Sequence, residues 1–300
     1  MTHRRAVFVM VLVTLLWSTA GVVTRQLEAA RSFEVTFWRS LFTAVGLVVL
    51  LGWLRGPQAL IERIRTGGKV LWASGLCWSV MFTAFMVAIT LTTVANVLVV
   101  MATAPLFTAL LSRFLLNHRL PARTWAAILV AGGGIAWMFG ADISGAGGSH
   151  LLGTGIAMGV PIAGAINWTL IQHASRSEAS SDMLPALLIG ALISAAVTLP
   201  VAWPLQASAA DIGWLSLLGV TQLAIPCVMA VTAARTLAAP EVALLALLEV
   251  LFGVAWAWLG AGEKPSNAAM LGGAIVLGAL ASNELFALLR RSPAPAPASV

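Results

Sequence analysis

Apolar residues dominate this 300-residue chain in long runs. Clusters of charged residues, Gly and Pro divide the runs into ten segments, at about 6–27, 34–54, 70–90, 94–114, 122–140, 151–172, 183–204, 212–233, 241–261 and 267–289. Each run is close to the roughly 20 apolar residues that a helix needs to cross a hydrocarbon core about 30 Å thick. The runs are continuous and lack the alternation of barrel strands. Backbone groups in lipid must also be satisfied within the segment, which selects helices. The pattern therefore predicts an all-α integral membrane protein with ten transmembrane helices joined by short connections. The first run follows Arg4 and Arg5, as a signal peptide would. It stays apolar to about Val23, beyond the usual length of a signal segment, so it is read as an uncleaved helix.

Composition agrees. Hydrophobic residues make up 60% of the chain and charged residues 9%, against roughly 25% charged in soluble proteins. So few charges cannot coat a water-facing surface. A net charge of +6 would point to nucleic acid in a soluble protein, but here its distribution gives it another meaning. With the N-terminus placed in the cytoplasm, thirteen basic residues and four acids fall on the inner side, a net +9. Three basic residues (Arg25, Arg31, Lys264) and five acids fall on the outer side, a net −2. This positive-inside bias places both termini in the cytoplasm, and no nucleic-acid partner is expected. Cys77 and Cys227 fall inside runs and are read as packing residues, not a disulfide. The Pro/Ala-rich tail 291–300 is read as disordered and cytoplasmic.

Shifting the chain by 145 residues lays Ala104–Pro121 over Glu249–Ser266. Leu106 and Phe107 meet Leu251 and Phe252, Arg119 meets Lys264, and each stretch leads into a Gly-rich helix. Five spans per half is an odd number, so the second half enters the membrane from the opposite side. The expected organisation is a first five-helix repeat over 1–145 and an inverted one over 146–290. Inverted repeats of this kind place a substrate site near the midplane and rock to give alternating access.

Here the chain resembles a known family. Ala104-Pro105-Leu106-Phe107-Thr108-Ala109 with His118-Arg119-Leu120, and Glu249-Val250-Leu251-Phe252 with Gly262-Glu263-Lys264, are similar to the drug/metabolite transporter superfamily, in its EamA-type ten-helix branch. Trp17-Ser18 and Trp38-Arg39 add to the likeness, which spans essentially the whole chain. His118 stands where the family usually has an acid, and Val250 where it often has Pro. The Trp-rich opening spans look most like the bacterial aromatic amino-acid exporters. The resemblance implies two inverted repeats around a central cavity and export of small molecules across the inner membrane.

Enzymatic chemistry finds no support in the residues. No GxxxxGK[ST] loop is present, and His3, His118, His150 and His173 lie at span ends or termini, too scattered for one metal cluster. Neither an enzyme nor a cofactor is expected.

Trp is more informative. Twelve occur with no Tyr, so Trp supplies any aromatic belt. Trp53, Trp72 and Trp125 fall at inner span ends, and Trp38, Trp137, Trp203, Trp214, Trp256 and Trp258 toward outer ones. Trp17, Trp78 and Trp168 fit the belt less well, and an indole N–H in hydrocarbon wants a partner. Trp78, Met81, Phe82, Phe85 and Met86 form one helical stripe, readable either as core packing or as the wall of a substrate cavity. Met101 is placed with them. Polar residues inside spans are default site candidates: Asn96, Asn167 and Gln222 could hold a substrate or bridge helices. Glu249 is the one acid near a span centre; protonated it costs little, and ionised it needs a partner. Arg39 is expected to snorkel to the outer surface or pair with Glu34 or Glu28. Gly155-x-x-x-Gly159 with Pro161 beyond it marks a close approach or a bend.

The expected function is export of small amino acids, aromatic and other neutral or apolar ones. The alternatives are export of another small metabolite or drug, or a non-transporting scaffold.

Overall fold

The structure is a computed structural model. It describes residues 1–289 apart from 31, 105, 108–109, 112–121, 146–147, 177–181, 234–235, 238 and 263. Every regular element among the described residues is helical: α1 (His3–Trp17), α2 (Ala20–Thr24), α3 (Ser32–Arg55), α4 (Pro57–Thr66), α5 (Lys69–Leu91), α6 (Val94–Met101), α7 (Ala122–Gly145), α8 (Gly148–Ala157), α9 (Gly159–Arg176), α10 (Pro185–Ala202), α11 (Ala209–Leu217), a π-helical segment (Leu218–Ala224), α12 (Ile225–Ala233), α13 (Ala239–Ala261) and α14 (Asn267–Leu289). Among the described residues six stretches are long and apolar enough to cross a membrane: His3–Thr24, Phe33–Arg55, Lys69–Leu91, Gly148–Asn167, Pro185–Ala202 and Ala209–Ala233. Trp125–Gly134, Leu248–Gly260 and Met270–Ala279 are shorter apolar helical stretches.

Several apolar runs are not single straight helices. The first breaks between α1 and α2, where the Ser18 and Thr19 hydroxyls donate back to the carbonyl oxygens of Leu15 and Leu16, each at 2.7 Å. Such back-bonding competes with the helical ladder and bends it. The run at 151–172 breaks between α8 and α9, next to Pro161. In the run at 212–233 the helix widens into the π segment just before Pro226. Proline has no N–H to give, and its ring crowds the carbonyl four residues back, that of Gln222.

The connector between the second and third runs contains α4. Gly56 sits at φ 83°, a left-handed turn suited to Gly, and Pro57 starts the helix at its first turn. Leu60 is buried while Glu62, Arg63 and Arg65 face outward, so α4 is amphipathic and too short to span. Arg55, at the end of α3, pairs with Asp182 before α10. A hollow of about 230 Å³ opens here between Leu51, Leu60, Arg63, Leu184 and Pro185.

Packing follows a definite scheme. α10 lies along both α3 and α5, and α5 also packs on α8 and α9. The π segment and α12 pack on α3 and α1, α13 meets α1 and α6, and α7 lies along α14. Two crossings are very close. A Cβ at Gly190 would stand 2.5 Å from Trp78 Cβ and 2.9 Å from the Gly75 carbonyl oxygen. One at Gly219 would stand 2.7 Å from the Arg39 carbonyl oxygen and 2.8 Å from the Thr43 nitrogen. Close approach on α8 uses Gly153, whose Cβ would meet Leu91 at 2.8 Å; Gly155 faces open space. Buried hydroxyls cross-link the α3–α10–α5 group, with Ser194 bonded to both Ser40 and Thr83 at 2.8 Å.

Two acids counted from sequence as outer-surface charges are fully buried. Asp211 accepts from the backbone nitrogens of Glu28, Ala29 and Ala30 at 2.9–3.0 Å, and forms a capping box with Ser208 at the start of α11. Glu34 accepts from the nitrogens of Gln206 and Ala207 at 2.8 and 2.7 Å. Both carboxylates thus tie the early chain to the region before α11. Asp211→Ala orphans several backbone donors at once and should cost about 3 kcal/mol. Ser208→Ala, which removes one cap, should cost about 1 kcal/mol. Thermal unfolding in detergent, followed by tryptophan fluorescence, separates the two.

Most of the Trp residues assigned to the belt face outward. Trp53, Trp72, Trp125, Trp137, Trp203, Trp214, Trp256 and Trp258 are exposed. Trp38 is instead half-buried, with its indole N–H directed at Glu34 (3.3 Å). Cys77 and Cys227 are both free thiols.

Candidate functional site

The most unusual polar group lies deep among the helices. Arg39 enters on α3 and is only 1% exposed. Its Nε and Nη2 donate to Gln222 Oε1 at 3.2 and 2.9 Å. Gln222 Nε2 in turn donates to the carbonyl oxygen of Trp17 at 3.0 Å, at the break between α1 and α2. The Arg39 guanidinium carbon lies 5.5 Å from the centre of the Phe85 ring on α5, a cation–π arrangement. Glu249 on α13 and Cys227 on α12 lie within electrostatic reach, and the Trp17 indole is directed at the Cys227 sulfur. Thr43 Oγ1 donates to the carbonyl oxygens of Arg39 and Gly219, fastening α3 to the π segment.

The sequence builds this group locally. Pro226 opens the helix at Gln222, and the broken first run brings the Trp17 carbonyl to it. Gly219 lets α3 approach to backbone contact. The expectation that Arg39 snorkels or pairs with Glu34 or Glu28 is overturned: its partner is Gln222, and Glu34 holds the backbone of Gln206 and Ala207.

Of the residues proposed from sequence, Trp17, Phe85, Gln222 and Glu249 gather around Arg39. Trp78 and Phe82 are buried in the cluster shared by α3, α5, α10 and α12, with their rings 5.5 Å apart. Phe85 and Met86 are buried in a second cluster with α6. Met81 touches both clusters, and Met101 packs against the second. Asn167 bridges α9 to α5, where its Oδ1 accepts from the Ser74 hydroxyl at 2.6 Å; its buried Nδ2 has no hydrogen-bond partner among the described residues. Asn96 belongs to a separate network around Thr92, which also joins His150 and receives Arg25 Nη2 on its carbonyl oxygen at 3.1 Å. The side chains of Trp168 and Glu284 lie outside the described residues, as do Pro105, Thr108, Ala109, the His118 turn, Glu263 and the tail 291–300. Among the described residues no group of His, Cys, Asp and Glu could hold a metal ion.

A family model for EamA-like transporters matches residues 4–140 and again 151–283. The chain belongs to the EamA-like transporter family. Membership of this drug/metabolite transporter family, together with the apolar helices, makes it a multi-pass membrane protein that moves small molecules. Sixteen solved chains match it in fold. One, described as "Crystal structure of protein", superposes with a TM-score of 0.67 at 20% identity, covering 97% of this chain and 100% of that one. At that identity the likeness concerns the fold. No curated protein matches the chain in sequence. Within this EamA-like transporter, the Arg39 group is a buried polar assembly that joins the two matched segments, since Arg39, Trp17 and Phe85 come from 4–140 and Gln222 and Glu249 from 151–283.

Proposed function

We propose that this chain is a secondary exporter of small amino acids, aromatic and other neutral or apolar ones, working by alternating access across a bacterial inner membrane. In this reading ten transmembrane helices form two inverted five-helix repeats, 1–145 and 146–290, with both termini cytoplasmic. The observation that carries the substrate class is the buried group between the halves: the Arg39 guanidinium 5.5 Å from the Phe85 ring, with the Glu249 carboxyl within electrostatic reach and Trp17 beside Gln222 and Cys227. An amino acid with an aromatic side chain offers a carboxylate, an ammonium and a ring.

The inverted repeat draws support from packing. Gly46 and Gly190 are 144 residues apart, as are Gly75 and Gly219. Gly46 and Gly219 form the close crossing of α3 with the π segment, and Gly75 and Gly190 that of α5 with α10. Helix pairings recur with the same exchange: α5 on α10 corresponds to the π segment on α3, and α5 on α9 to α12 on α1. A two-fold relation between halves of opposite orientation produces this set of pairs. The two matches of one family model are consistent with it.

Trp17, Trp78, Met81, Phe82, Phe85, Met86, Met101 and Trp168 supply the apolar wall in this proposal, and Asn96, Asn167, Gln222 and Glu249 its polar points. The stripe is closed and packed in the conformation described here, so access requires the halves to move. Phosphorylated substrates fit less well, because they need several intramembrane cations and Arg39 is the one basic residue well inside a span.

Protein reconstituted in liposomes is expected to accelerate phenylalanine flux well above empty liposomes. Trp78→Ala should lower that flux about tenfold, as loss of a buried aromatic contact worth about 1.4 kcal/mol would give, and Trp168→Ala should lower it as well. Flux equal to that of empty liposomes ends the amino-acid reading.

A further inference from the structure

A guanidinium carries five N–H donors. Gln222 Oε1 takes the Nε and one Nη2 bond, while Arg39 Nη1, although buried, makes no hydrogen bond among the described residues. A buried, unsatisfied charged donor is costly, and proteins keep one chiefly where function uses it. Its neighbours offer no direct substitute. The Phe85 ring gives a diffuse attraction, and Glu249 acts at longer range.

We propose that Arg39 is the carboxylate anchor of the transport site, with Gln222 as the partner that holds it when substrate is absent. This rests on the amino-acid reading above and adds the group that recognises the acid end. The Nη1/Nη2 edge is planar and forked, the geometry that receives a carboxylate through two hydrogen bonds. Glu249, within reach of Arg39 but hydrogen-bonded neither to it nor to Gln222, is placed to receive the ammonium. An α-amino acid carries both groups on one α-carbon and bridges the pair. Gln222 belongs to the second half and Arg39 to the first, so a carboxylate that draws Arg39 from Gln222 loosens a bond between the halves. Binding and the conformational change are thereby linked through one side chain.

Competition assays in proteoliposomes test this with phenylalanine, phenethylamine (which lacks the carboxylate) and 3-phenylpropionate (which lacks the ammonium) against labelled phenylalanine counterflow. Wild type should favour phenylalanine over phenethylamine by about ten- to a hundredfold, the range of a charge-assisted hydrogen-bond pair. Arg39→Gln should collapse that preference toward unity while leaving phenethylamine competition unchanged; Arg39→Lys should restore part of it. Gln222→Glu gives Arg39 a permanent carboxylate partner. It should weaken phenylalanine and phenylpropionate about tenfold and spare phenethylamine, which decides the matter even if Arg39→Gln fails to assemble. A wild-type preference retained in Arg39→Gln, or in Gln222→Glu, overturns the anchor while export stands. Absence of saturable phenylalanine flux in wild type overturns the export reading and the anchor with it.

Discussion

Phenylalanine flux through Glu249→Gln should fall about tenfold or more, and any acceleration that an imposed pH gradient gives the wild type should vanish in the variant. The substitution keeps shape and hydrogen-bonding capacity but removes the ability to carry a charge or exchange a proton. Glu249 sits within α13, almost fully buried, and Arg39 is the cation within reach. A charge-assisted hydrogen bond from a substrate ammonium is worth about 1.5–3 kcal/mol. At 1.4 kcal/mol per factor of ten, its loss corresponds to at least about tenfold in affinity. 3-Phenylpropionate, which has no ammonium, should be recognised equally by both proteins. Flux measured with and without a pH gradient, for wild type and variant side by side, reads both effects. Equal flux under every condition would make Glu249 a structural carboxyl.

Adding one methyl group at either close helix crossing should be severely damaging. Gly219→Ala places a Cβ 2.7 Å from the Arg39 carbonyl oxygen and 2.8 Å from the Thr43 nitrogen, and Gly190→Ala places one 2.9 Å from the Gly75 carbonyl oxygen. These contacts are with backbone, so no side-chain rotation relieves them. The helices must part, which breaks the packing that holds α3 to the π segment and α5 to α10. Overpacking of this kind costs about 3 kcal/mol, against roughly 1 kcal/mol gained from the better helix propensity of Ala. A net loss near 2 kcal/mol should show as a lower unfolding temperature and reduced monodisperse yield in detergent. Gly132→Ala and Gly213→Ala, where an added Cβ meets open space, should leave both unchanged or improve them. Gly219→Ala should also disturb the Arg39–Gln222 contact, because Gly219 and Gln222 share the π segment. Gly190→Ala presses on Trp78 at the α5 crossing instead, so in its surviving fraction the Arg39–Gln222 contact should persist while the apolar wall is disturbed.

Much of the helical plan was legible in the sequence, because lipid forces apolar residues outward and leaves one repetitive solution for the backbone. The connector helix α4 was not, since three polar side chains on one face hide a short amphipathic pattern. Pro226 lies four residues after Gln222, and Ser208 three before Asp211, spacings that bear on local helix shape alone. Neither revealed its long-range partner. Depth along a span can be counted from sequence, but the direction a residue faces around its helix depends on what packs beside it. For that reason Arg39, one turn inside a span end, was read as a snorkelling residue, and Asp211 and Glu34 as surface charges.

The sequence by itself determined that the chain lives in a membrane, where its apolar runs lie, and which few polar residues they contain, since the energy of placing charge in hydrocarbon acts residue by residue. Only the tertiary structure decided which of those residues meet. Arg39, Gln222, Trp17, Phe85 and Glu249 are spread over more than two hundred positions of chain. They converge because Gly219 permits backbone contact, Ser18 and Thr19 break the first helix, and Pro226 opens the eighth run, and the effect of each depends on a neighbour that arrives from elsewhere in the fold.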